Sequence, residues 1–114
     1  MPHWRLQGAT YFVTWRLHRR QPPLQPEERD FVLRTLRHFD RSHFYLHAAV
    51  VMDDQVHVVV TPSPGHLLER VIQSWKARSA ARLREGARLA PFWQRGYHDR
   101  IVRSPSDLLE KIRY

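Results

Sequence analysis

The sequence predicts an α+β fold, a four-stranded antiparallel sheet with two helices on one face. Three observations carry this. Four segments are rich in strand-forming residues, two longer ones repeat apolar residues at helical spacing, and they follow one another as β-α-β-β-α-β. The chain has 114 residues, 42% of them apolar, which suits one core and a single domain over residues 1–114.

Each element has a local cause. Ala9 to Leu17 sets Tyr11, Val13, Trp15 and Leu17 against Thr10, Phe12, Thr14 and Arg16, and this period of two predicts a strand. His18 to Pro26 is a basic loop marked by prolines. From Pro26 a helix is expected, because proline and two acids fill its first turn and Val32, Leu33, Leu36 and Phe39 recur at helical spacing. Phe44 to Met52 and Gln55 to Pro62 are strands separated only by Asp53 and Asp54, which forces a tight antiparallel hairpin. The segment Ser63 to His66 breaks the chain. The next helix runs from Leu67 towards Gly86, with Leu68, Val71, Ile72, Trp75 and Leu83 on one stripe, Ser79 as its polar member and Gly86 as its cap. Pro91 to Val102 reads as an irregular last strand bent at Gly96. A C-terminal helix then starts from Ser104 as N-cap, Pro105 at the first helical position and Asp107 in a capping box, and it reads as truncated at Tyr114. This succession is the ferredoxin-like arrangement, with a helix added at the C-terminus.

Composition narrows the chemistry. Lysine and arginine number 19 against 11 acids, a formal charge of +8, so a polyanion is the expected partner and nucleic acid leads. The chain has no cysteine, which excludes disulfides and cysteine-based zinc sites. No apolar run reaches the roughly 20 residues that cross a bilayer, so no membrane association is expected. The basic residues suited to phosphate are Arg16, Arg19 and Arg20 after the first strand, Lys76, Arg78 and Arg84 on the second helix, and Arg95, Arg100 and Arg103 around the last strand. Phe12, Trp93 and Tyr97 are each either a base-stacking platform or core.

Two features call for chemistry beyond charge. Gln55 and His57 are two apart in a strand, so they leave the same face, while Val56, Val58 and Val60 pack beneath the helices. An imidazole is a good ligand for a divalent cation and an amide oxygen a weak one, although a lone strand histidine is more often hydrogen-bonded than metal-bound. On the C-terminal helix, Leu108, Leu109 and Ile112 form the apolar stripe and Tyr114 falls nearly opposite, as either a nucleophile or a terminal residue.

The blocks "PHWRLQGATYFVTWRL", "AAVVMDDQVHVVVTP", "LLERVIQSWKARSA", "FWQRGYHDRIVRS" and "LLEKIRY" together resemble the REP-associated tyrosine transposases, relatives of the single-tyrosine HUH transposases of simple insertion sequences. The resemblance spans Pro2 to Tyr114 in collinear order. It implies a bacterial, cytoplasmic protein, monomer or homodimer, that binds single-stranded or hairpin DNA of the REP type. It also implies cleavage and rejoining through a 5′-phosphotyrosine, with Mg or Mn at the HUH motif. By position, His57 matches the second histidine of that motif and Tyr114 the nucleophile. Gln55 stands where the first histidine is usual, and the family's further metal ligand lies beyond the residue at which this chain stops. A DNA-hairpin-binding module with impaired catalysis is therefore the alternative. The β-α-β-β-α-β order also leaves open an RRM-like RNA binder, though the third strand lacks the aromatic signature expected of one.

Overall fold

A computed structural model of the protein describes residues 8–86 and 88–103. The C-terminal helix and Tyr114 lie outside them. The observed elements are β1 (Tyr11–Arg16), α1 (Pro26–Arg37), β2 (Phe44–Val51), β3 (Gln55–Pro62), α2 (Leu68–Glu85) and β4 (His98–Ile101). They form one antiparallel sheet in the order β2-β3-β1-β4. Both crossovers, β1-α1-β2 and β3-α2-β4, skip one strand. Right-handed connections of this kind bring both helices to the same side of the sheet.

The core lies between the sheet and the helices. Tyr11, Val13 and Trp15 of β1 and Val56, Val58 and Val60 of β3 meet Val32 and Leu36 of α1 and Leu68, Val71, Ile72 and Trp75 of α2. Trp15 stacks on Trp75 at 5.8 Å and meets Trp93 edge-on at 6.1 Å. The polar member of the α2 stripe now has a reason. Ser79 is 1% exposed, donates to the carbonyl of Trp75 at 2.8 Å, and accepts the indole N–H of Trp93 at 2.9 Å. A buried indole N–H left without an acceptor is costly, so the serine satisfies a core donor that an apolar residue would strand.

The observed boundaries depart from the sequence reading mainly at the ends. Leu17 leaves β1 and bridges to Trp93 instead. The expected strand over Pro91–Val102 shrinks to four residues, because β4 pairs only with β1, over Tyr11 to Thr14. Residues before His98 are drawn out of the sheet: Phe92 and Trp93 turn into the core, and Gly96 takes φ +83, a backbone that only glycine adopts at little cost. Gly86 does follow α2, with its N–H on the carbonyls of Arg84 and Leu83, but at φ −88 rather than in the left-handed region.

One contact was not legible in the sequence. Arg88 grips both carboxylate oxygens of Glu28, at 2.8 and 2.6 Å, and donates to the carbonyls of Pro22 and Pro23. It thereby ties the segment after α2 to the loop before α1. Glu28 also accepts the N–H of Gln25 at 2.8 Å, closing the N-terminus of α1. The Arg88 guanidinium holds the Glu28 carboxyl below its ordinary 4.5, against a smaller opposing effect of burial. A depressed carboxylate stabilises the fold above the unfolded-state value and loses that contribution as pH falls through the folded-state value. Acid titration of stability should therefore show a loss beginning below 4.5 that Glu28→Gln flattens, read by urea unfolding at a series of pH values.

Candidate nucleic-acid interface

The sheet face opposite the helices carries the polar pair. In the register, Val50, His57, Thr14 and His98 form a row across β2, β3, β1 and β4, while Gln55 stands opposite Arg16. The pair therefore shares a face, as the period of two requires. Its surroundings differ from the expectation of an open position. His57 is only 7% exposed; Phe12 stacks on its ring at 5.8 Å and Thr14 approaches from the neighbouring strand. Nδ1 of His57 lies 3.0 Å from the Thr14 hydroxyl, and Nε2 is buried. Thr14 fixes the ring orientation, which sequence reasoning missed; alternation put Thr14 on this face, but only strand pairing brings it to His57.

Burial lowers the His57 pKa from its ordinary 6.5, nearby Arg16 lowers it further, and Asp54 opposes both. The neutral ring is favoured. Below the unfolded-state value the unfolded chain takes up a proton that the folded chain resists, so stability falls as pH drops. Thermal midpoints measured from about pH 7.5 to about pH 5.5 should fall more in the wild type than in His57→Gln, which carries no titrating group there.

A divalent cation needs several hard or borderline donors converging on one point. Among the described residues no group of three or more histidine, cysteine, aspartate or glutamate side chains could hold one. Gln55 supplies only a neutral amide. Asp53 and Asp54 are exposed in the hairpin turn, whose carbonyls accept the N–H groups of Leu24 at 2.7 Å and Leu17 at 2.9 Å. These residues do not by themselves fit the Mg or Mn that the resemblance implies.

The basic residues sort into four places. Arg19, Lys76, Arg84 and Arg95 line one open groove of ≈ 1080 Å³ between α2 and residues 91–97, over a floor that includes Ile72, Phe92, Trp93 and Tyr97. Arg19, Arg84 and Arg95 are exposed there, whereas Lys76 is half-buried and donates to the carbonyls of Gln94 and Gly96, both at 2.8 Å. Burial pushes the Lys76 pKa down, and its ammonium pins the bend that carries Arg95. Lys76 thus shapes the groove more than it offers charge to a ligand. Arg16 and Arg100 lie on the open sheet face, opposite Gln55 and Phe12 respectively, with Arg103 just after β4. Arg20 and Arg78 line separate clefts, Arg20 near Arg88 and Arg78 between the helices. Of the aromatic candidates, Trp93 is core, while Phe12 and Tyr97 are partly exposed.

Among the described residues no helix is long and apolar enough to cross a membrane. The fold superposes on a REP-associated tyrosine transposase solved with a REP hairpin, at TM-score 0.80 and 19% identity over 100% of this chain and 70% of that one. It also superposes on a candidate transposase of Deinococcus radiodurans R1, at TM-score 0.69 and 22% identity over 97% and 93%. No curated protein sequence matches the chain. The family model described as "Transposase IS200 like" matches residues 6–111, which takes precedence over the RNA-binding reading that element order alone left open. With almost its whole length covered, from the start of β1 past the end of β4, this chain belongs to the IS200-like transposase family.

Proposed function

We propose that the protein binds single-stranded or hairpin DNA, with the phosphate backbone in the groove between α2 and residues 91–97. The observation that carries this is the convergence of exposed Arg19, Arg84 and Arg95, from three separate segments, on one concave surface of a transposase-family chain. Phosphates favour such a surface because each neutralised contact releases counterions. Tyr97, partly exposed in the groove, offers a ring to an unpaired base. A REP-like hairpin is the first substrate to try, since the solved relative was bound to one. The reading places the protein with DNA in the bacterial cytoplasm.

Cleavage is a second reading, favoured by the family match. In it the phenol oxygen of Tyr114 forms a bond to the scissile phosphorus as the bond to the 3′-oxygen breaks. The 3′-oxygen leaves with a proton, and the 5′-phosphate stays on the protein. The donor set around His57 favours binding without this step. A labelled hairpin oligonucleotide should therefore be shifted equally with Mn and with EDTA and should leave no covalent product on a denaturing gel. A Mn-dependent adduct lost in Tyr114→Phe would instead establish strand transfer, and absence of any shift at low salt would reject DNA binding altogether.

A further inference from the structure

The helical layer carries a second cationic surface, on the side of the molecule away from His57. Arg78 lies 4.7 Å from the centroid of Phe39, while Arg82 and Arg34 lie 5.4 and 6.0 Å from that of Phe31. Phe39 stacks on His43 at 4.2 Å and 21°, and His43 stacks on His66 at 4.5 Å and 22°. Three near-parallel rings thus run outward from Phe39, just after α1, ending at His66, which is exposed. They border a cleft of ≈ 470 Å³ that Arg70 and Arg78 also line, and a smaller cleft of ≈ 320 Å³ holds Arg34 and Arg82.

No aspartate or glutamate lines either cleft. Arg34, Arg70, Arg78 and Arg82 are exposed, and among the described residues none of them has an ion pair, in contrast to Arg88 with Glu28. Uncompensated cations around one surface favour a polyanion. The stacked rings add what an acidic peptide does not need, a flat platform at the spacing on which unpaired bases continue. An arginine beside an aromatic ring favours the same ligand, by cation–π attraction and by pairing with phosphate.

We propose that this surface is a second nucleic-acid site, which takes an unpaired strand by stacking a base on His66 and meeting its phosphates with Arg70 and Arg78. The site shares only Gln73 and Ala77 with the groove on the other flank of α2, so both are open to nucleic acid at once. The proposal rests on the nucleic-acid reading above but uses different residues.

The test is fluorescence anisotropy with a short oligodeoxyadenylate and with an abasic sugar-phosphate oligomer of equal length. His66→Ala should weaken the adenylate by about tenfold, leave the abasic oligomer unchanged, and be rescued by His66→Phe, as expected for one stacked base. The double variant Arg70→Ala/Arg78→Ala should weaken both and reduce the slope of log K against log salt by about 1.4, from two single-strand phosphate contacts. All the altered side chains are exposed or at the end of the ring stack, so unchanged thermal melts are expected. Equal wild-type affinity for the two oligomers, unaltered binding in the variants, or equal competition by polyglutamate would overturn the site. If replacing the groove's Arg19, Arg84 and Arg95 by alanine lowers hairpin affinity while these variants bind normally, the groove reading stands and this one falls. If the wild type binds no oligonucleotide, both fall.

Discussion

Replacing Arg19, Arg84 and Arg95 together by alanine is expected to lower affinity for a single-stranded hairpin oligonucleotide by about a hundredfold at low salt. The slope of log K against log salt should fall by about 2, from three single-strand contacts at ~0.7 each. These side chains come from the loop after β1, the end of α2 and the segment before β4, yet line one groove. They are exposed, so their removal should leave the melting transition in place. Lys76 differs from these three arginines. Its ammonium holds two carbonyls of the 94–97 bend, and Lys76→Ala would change the shape of the groove along with its charge. A salt titration that gives the wild-type slope for the triple variant would remove the groove from the phosphate path. Equal losses for hairpin and unstructured strands would show that the groove reads backbone rather than hairpin shape.

The largest expected effect on stability is at Trp75. It stacks on Trp15 at 5.8 Å, meets Phe44 edge-on at 5.0 Å, and donates its indole N–H to the carbonyl of Leu36 at 3.2 Å. It thus joins α2 to β1, β2 and α1 at the centre of the core. Trp75→Ala should cost about 3–5 kcal/mol, through lost burial, a residual cavity and a stranded carbonyl. For a domain of this size that corresponds to a fall in melting temperature of roughly 15 °C. Leu89→Ala is the contrast, since Leu89 is 79% exposed and its removal should change stability by less than about 0.5 kcal/mol. Comparable losses at both positions would mean that the core is not centred on the tryptophans.

The two results would separate what the chain is from what it does. A melting shift at Trp75 reports the fold shared with the transposase family, and folds are reused for many activities. A changed salt slope reports the groove itself. The donor set at His57 sits between the two, because only resemblance assigns it to the family motif, while its ring is buried and lies 3.0 Å from the Thr14 hydroxyl.

Much of the architecture was written locally. The period of two in Tyr11 to Leu17, the two-residue break at Asp53 and Asp54, and the apolar stripe from Leu68 to Leu83 depend on residues no more than a turn or a pleat apart, so the sequence by itself determined the elements, their order and the shared face of Gln55 and His57. The family resemblance was legible for the same reason, in motifs within those elements. Only the tertiary structure decided that Thr14 faces His57, that His57 is buried, that Ser79 serves Trp93, and that Arg19, Arg84 and Arg95 meet around one groove. Each of these joins side chains from different elements. Periodicity states which way a residue points along its own strand or helix, while the neighbour it meets is set by strand register and by packing between layers.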